Sequence, residues 1–228
     1  MFVKNWMSKK VVTVDIDDSI ENAMMLLNDH KIRMLPVMKR GKLVGIVTDS
    51  DLRSASTSNA TSLEDRNLAF PISNIKVKEI MSRDPITVPI DFTIEETAEI
   101  LLRNKINGVP VVDHKRQVVG VITQTDLFKV IISLSGIPGI GTQFVLKLED
   151  RPGSIMEICD IIRKYGGRIS SILWSYDDVQ ENNRKVYFRV YGIYRSMLQQ
   201  LKEELNKKAV LLYMLDRRKN KREVYEMP

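Results

Sequence analysis

Apolar residues recur at helical spacing twice in the first half of the chain. Ile20, Ala23, Met24 and Leu27 stand at i, i+3, i+4 and i+7, and Ile94, Ala98 and Leu101 repeat the stripe later. Ser19 occupies the N-cap position before the first stripe. Thr93 does so before the second, with Glu96 three residues on as a capping box. Each predicted helix is followed by a short apolar strand, Met34 to Met38 and Val109 to Val112. A turn comes next, holding Gly41 in one case and His114, Lys115 and Arg116 in the other. A second strand then runs from Leu43 to Val47 or from Val118 to Ile122, and a further helix opens at Thr48 or Thr123. The pattern predicts the unit strand, helix, strand, strand, helix, made twice.

The repetition extends to sequence. GIVTDSDL, from Gly45 to Leu52, returns as GVITQTDL, from Gly120 to Leu127. Upstream, both copies carry a Met-Ser (Met7-Ser8, Met81-Ser82), a Thr-Val (Thr13-Val14, Thr87-Val88) and a Pro-Val (Pro36-Val37, Pro110-Val111). The offset is 74 residues from Met7 to Met81 and 75 from Gly45 to Gly120, so the second copy has gained one residue in its turn. A fixed offset of this kind means that a supersecondary unit was duplicated.

The shared element G-x-x-T-x-x-D suggests chemistry. Glycine lets a strand pass close to another group. The threonine ends a strand and opens a helix, where free N–H groups and the helix dipole attract a phosphate. Its hydroxyl can donate to that phosphate, and the aspartate one turn on accepts from ribose hydroxyls. The same Thr-x-x-Asp is also a helix-capping motif, and one copy alone would read that way. The copies differ beside the threonine. Asp49 places a negative charge there, whereas Gln124 is neutral, so the second turn is expected to bind phosphorylated ligands better.

After Ser135 the rhythm changes, and Gly136-Ile137-Pro138-Gly139 marks a boundary. Phe144, Leu146 and Leu148 alternate as a strand. Ile155, Ile158, Cys159 and Ile162 form a helical stripe. Ile169 to Tyr176 and Lys185 to Tyr191 alternate as two strands, Leu198, Leu201 and Leu205 mark a second helix, and Val210 to Leu215 a last strand. That order is βαββαβ, the ferredoxin-like arrangement. The fold class expected is α/β (α+β). Residues 1–58 and 76–135 hold the two copies, and 59–75 a linker with a short helix around Leu63 to Leu68. Residues 136–141 form a second linker, 142–216 the βαββαβ part and 217–228 a basic tail. The polar stretch Ser54 to Ser62 reads as flexible.

Composition narrows the function. With 43% hydrophobic and 28% charged residues in 228, the chain is an ordinary globular protein. It has no apolar run long enough to cross a bilayer and no signal-like start, which favours the cytoplasm and no membrane partner. One cysteine, Cys159, excludes an internal disulfide, and two histidines, His30 and His114, argue against a metal site. Cys159 reads as a buried structural thiol, and Trp6 and Trp174 as packing or interface residues. The net charge of +6 is partly carried by the tail from Arg217 to Arg222. That tail reads as a solvated terminus, since no aromatic residues interleave with the basic ones as a nucleic-acid surface would ask.

The two copies resemble CBS motifs, whose tandem pair forms a Bateman module. The match rests on the Met-Ser start, Thr-Val, the Pro-Val strand and G-h-x-T-x-x-D, and covers about residues 1–135. Such a resemblance implies a regulatory protein that binds AMP, ADP, ATP, S-adenosylmethionine or NAD in the cleft between the copies. It implies that Thr48 and Asp51, with Thr123 and Asp126, carry phosphate and ribose. Adenine would lie by Thr13, Val14, Leu35 and Pro36, or by Thr87, Val88, Val109 and Pro110. No catalytic residue and no cofactor are implied, and magnesium only as the companion of ATP. The C-terminal part resembles an ACT domain through Asp150-Arg151-Pro152-Gly153 between its first strand and helix. An effector turn of Asp150, Arg151, Gly153 and Ser154 would then bind an amino acid or serve only dimerisation. The order of the parts resembles bacterial acetoin-utilisation proteins of CBS-ACT type. Self-association as a homodimer or larger homo-oligomer and a regulated partner protein are implied. The alternatives are a nucleic-acid-associated transcriptional regulator and, with less support, an enzyme.

Overall fold

In the computed structural model the structure describes residues 1–60, 75–136, 141–217 and 220–225. The chain divides into two compact units, Met1–Phe128 and Lys129–Pro228. The first unit contains the duplication. In the first copy, β1 (Val14–Asp15), α1 (Ile20–His30), β2 (Met34–Lys39), β3 (Lys42–Thr48) and α2 (Asp49–Ala60) follow the predicted order. After a short helix, α3 (Val77–Ile80), and β4 (Ser82–Arg83), the second copy repeats it with β5 (Val88–Pro89), α4 (Ile94–Asn104), β6 (Gly108–Val112), β7 (Val118–Thr123) and α5 (Gln124–Leu134). Ser19 Oγ accepts from Asn22 N–H at 3.2 Å and Thr93 Oγ1 from Glu96 N–H at 3.1 Å, so both helices start at their sequence caps. Both end at a lysine in the left-handed region, Lys31 (φ 51°) and Lys105 (φ 53°).

The two copies exchange their leading segments. β4 pairs with β3, placing Ser82 opposite Ile46, and Ser8 bridges Val121 in the same manner. Val77 N–H donates to Asp18 O at 2.9 Å, and Val3 N–H to Phe92 O at 2.8 Å. Ile20 N–H donates to Ile75 O at 3.0 Å, and Ile94 N–H to Met1 O at 2.8 Å. The Met-Ser start of each repeat is thereby built into the other. Val3 and Val77 are fully buried by this exchange.

The exchange explains the motif glycines. A Cβ on Gly45 would stand 2.6 Å from Met81 Sδ and 2.9 Å from Ser82 O, and one on Gly120 2.3 Å from Met7 Sδ. The group that each glycine admits is the thioether that leads the other copy. Gly45 lies opposite Val37, and Met81 packs on the core formed by Val14, Ile20, Leu35, Val37 and Val47.

The second unit has one antiparallel sheet whose strands lie side by side in the order 221–224, 210–216, 142–149, 183–191 and 168–175. Its elements are β8 (Thr142–Glu149), α6 (Ser154–Lys164), β9 (Arg168–Ser175), β10 (Asn183–Tyr191), α7 (Leu198–Asn206), β11 (Val210–Asp216) and β12 (Lys221–Val224). The first six give the βαββαβ order. Phe144, Leu146, Ile158, Ile162, Val186, Phe188, Leu201 and Leu205 pack between sheet and helices.

Two expectations change. The composition from Ser54 on predicts a flexible stretch, but α2 continues to Ala60 because the helix begun at Thr48 meets no proline or glycine. The basic tail is not wholly solvated, since Lys221–Val224 pair with β11 as an edge strand. Glu223 anchors that strand, with Lys202 Nζ at 3.0 Å and Lys221 Nζ at 2.7 Å. The short helix expected around Leu63 to Leu68 lies outside the described residues, as does most of the linker 136–141.

Candidate functional site

Thr48 closes β3 and caps α2, and Thr123 closes β7 and caps α5. Each turn is internally bonded. Thr48 N–H and Oγ1–H both donate to Asp51 Oδ2, at 2.9 and 2.7 Å, and Asp51 N–H returns to Thr48 Oγ1 at 3.4 Å. The second copy repeats the pattern with 3.0, 2.8 and 3.4 Å between Thr123 and Asp126. The next amides are also used. Asp49 N–H donates to Arg33 O at 3.0 Å and Gln124 N–H to Asn107 O at 2.9 Å.

This is the capping alternative, realised in both copies. It changes the expected roles. The threonine hydroxyl has one proton, and it is spent on the aspartate, so it does not face a phosphate in this arrangement. The carboxylate is fixed through Oδ2 by two donors, and Asp51 Oδ1 takes part in none of these bonds. Asp49 is not a bare charge beside Thr48, because its Oδ1 accepts from Arg53 Nε at 2.9 Å.

Strand alternation sorts the other candidates by face. Leu35 and Val14 point into the core of the first copy. Val88 and Val109 are buried in the second, at 0% and 1% exposure. They can offer backbone but not side chain to a ligand. Opposite the core, Pro36 lies across from Ile46, and Met34 across from Thr48. In the second copy Pro110 lies across from Val121 and Gly108 across from Thr123. Thr13 is exposed and Thr87 half-buried, each just before its strand. These two faces meet, because Met34 Sδ is 3.0 Å from where a Cβ on Gly108 would be. Met34 was not singled out in the sequence. The signal for it is the Met-to-Gly difference between positions 34 and 108, visible once the repeats are aligned. Among the described residues, no group of three or more His, Cys, Asp or Glu side chains could hold a metal ion. No described helix is long and apolar enough to cross a membrane.

The CBS domain family matches residues 3–58 and 77–133. A CBS domain-containing protein of Dictyostelium discoideum is 32% identical over 135 residues, covering 59% of this chain and 93% of that protein. The chain belongs to the CBS-domain family. An inosine-5'-monophosphate dehydrogenase of Korarchaeum cryptofilum is 35% identical over 125 residues, but this spans only 23% of the enzyme and 55% of this chain. The CBS domain pair of protein MJ0100, solved with 5'-methylthioadenosine and S-adenosyl-L-methionine, is similar with a TM-score of 0.50 and 33% identity. That match covers 57% of this chain and 95% of the MJ0100 chain. A Vibrio cholerae protein described as an acetoin utilization protein (AcuB) gives a TM-score of 0.50 at 27% identity, over 60% of this chain and 95% of its own.

The family match ends before β8, and the second unit has a candidate site of its own. Gly153, with φ +87°, turns the chain from β8 into α6. Asp150 Oδ2 accepts from Tyr176 OH at 3.0 Å, and its Oδ1 lies 3.3 Å from Arg184 Nη1. Ser154 is buried, and its Oγ accepts from Arg184 Nη2 at 3.1 Å. Arg151 turns away to Glu149 at 3.1 Å and Glu157 at 2.7 Å. A cavity of about 670 Å³ opens here, lined by Ile155, Met156, Ile172, Arg163 and Arg184, with Cys159 among its walls. Arg184 Nε is buried and has no hydrogen-bond partner among the described residues. Burial raises the Cys159 thiol above its ordinary range, which fits a packing role.

Proposed function

We propose that this chain is a regulatory sensor of an adenosine-containing ligand, held between the two CBS copies, and not an enzyme. The observation that carries the reading is the pair of equivalent Thr/Asp turns on sheet faces that meet in one unit. The ligands bound by the MJ0100 pair support the adenosine class. Asp51, fixed through Oδ2, can accept from ribose hydroxyls at Oδ1, which takes part in none of the bonds of its own turn. The base is met by backbone near Thr13 and Pro36, or near Thr87 and Pro110. Regulation requires that the ligand prefer one of two states of the protein, since equal affinity shifts nothing. Thermal unfolding with AMP, ADP, ATP, S-adenosylmethionine and NAD tests this. A ligand at one hundred times its Kd stabilises by about 2.7 kcal/mol, a readily measured rise in Tm. No shift with any of them would remove the reading.

The second unit we read as an ACT-type effector and dimerisation domain, with Asp150, Arg151, Gly153 and Ser154 as its turn. Its βαββαβ order and the cavity beside that turn support this. Arg184 lines that cavity, and an amino-acid carboxylate there would meet its guanidinium charge. Calorimetry with a panel of amino acids, compared between the native chain and Arg184→Ala, is the test. The similarity to AcuB supports a link to acetoin utilisation, and self-association as a homodimer belongs to the same reading.

A further inference from the structure

Two equivalent positions, 34 and 108, carry different residues in the two copies and approach each other. Position 34 in the first copy corresponds to position 108 in the second, 74 residues on, and the residues are Met and Gly. Met34 pairs with Thr48 across β2 and β3, and Gly108 pairs with Thr123 across β6 and β7. Met34 Sδ and Thr123 Cγ2 each lie 3.0 Å from the place that a Cβ on Gly108 would take. The Met34 side chain thus leaves the first copy and fills the corner between Gly108 and Thr123 in the second. Gly108 sends nothing back to the matching corner beside Thr48.

This asymmetry cannot be reversed by a simple swap, because a Cβ on Gly108 would also stand 2.9 Å from the backbone oxygen of Ile122. The carboxylates follow the same division. Asp126 is only 5% exposed, whereas Asp51 is partly open. Met34 itself is 8% exposed, so its thioether is packed in place. A base or sugar entering the second corner has to displace it, and close-packed sites resist added atoms.

We infer that Met34 selects between the two clefts, closing the second and leaving the first, at Thr48 and Asp51, to take the adenosine ligand. This rests on the adenosine reading above and adds to it which cleft is used and why. It reverses the preference that Asp49 and Gln124 suggest from sequence. The selection works by steric exclusion of one site, with no charge difference required.

The test is calorimetric titration of the full chain with AMP and with S-adenosylmethionine. In the native chain, Asp51→Asn should remove binding. Met34→Ala should raise the ligand bound per chain about twofold, as an excluded pocket becomes available. Asp126→Asn should abolish that gain in the Met34→Ala background. Native binding that survives Asp51→Asn would overturn the inference while leaving the adenosine reading standing. So would a folded Met34→Ala chain whose stoichiometry is unchanged. If neither the native chain nor Met34→Ala binds either compound, the adenosine reading falls and this inference with it. Should Met34→Ala fail to fold, the Asp51→Asn result in the native chain still decides.

Discussion

At the scale of single residues, the motif shared by the two copies does two jobs on two faces of one strand. Thr48 and Asp51 cap a helix on the side where the copies meet, while Gly45, three residues earlier, makes room on the core side for Met81. The glycines therefore differ in how much they tolerate. At Gly45 an added methyl meets a thioether and also the fixed oxygen of Ser82, at 2.9 Å. At Gly120 its three nearest atoms all belong to the flexible side chain of Met7. Gly45→Ala should destabilise by about 1–3 kcal/mol, and Gly120→Ala by less, since only a side chain has to move. Urea unfolding of the two variants checks the order. Equal losses would show that the thioether contact, not the Ser82 oxygen, decides. The spacing of these residues was legible in sequence because each lies within one turn of the next. What the glycine touches was not, because Met81 approaches from the other repeat.

At the scale of elements, the segments that local periodicity marks were the ones foreseen. α1 and α4 carry apolar stripes and caps, and β2, β3, β6 and β7 are short apolar runs between turn residues. The elements that sequence concealed are those fixed by distant partners. The N-terminal arm is held by Val3 on Phe92 O and by Ser8 on Val121. Deleting residues 1–8 should speed amide exchange at Val121, whose N–H donates to Ser8 O at 3.0 Å. Exchange at Ile46, on the equivalent strand, should change less. Equal deprotection of both would mean that the exchanged arms stabilise the unit only jointly. β12 is concealed for a similar reason. Its residues read as a basic tail, yet it pairs with β11 and is pinned by Glu223. Hydrogen bonds from Lys221, Tyr225 and Lys202 hold that carboxyl at about 2, against an ordinary 4.5. A depressed carboxylate stabilises fully above pH 4.5, and this is lost as pH falls toward 2. Glu223→Gln should weaken protection of β12 at neutral pH and flatten its acid dependence between those values, read by amide exchange. An unchanged acid profile would rule out Glu223 as the anchor.

At the scale of the whole molecule, duplication and exchange put two equivalent turns on facing sheets of one unit, and a βαββαβ unit follows. The duplication was legible because its offset stays at 74 to 75 residues across several short motifs. The unequal fate of the two turns was not, since it depends on Met34 crossing to Gly108 and Thr123. In both copies the Thr/Asp spacing serves as a helix cap, so the functional claim rests on what the paired faces bind. That is decided most directly by equilibrium dialysis of the full chain against labelled AMP, ADP, ATP, S-adenosylmethionine and NAD, repeated with Asp51→Asn and Asp126→Asn combined. The account predicts saturable binding of at least one of these by the native chain and none by the double variant. Absence of binding by the native chain, or binding that the double variant keeps intact, would contradict it.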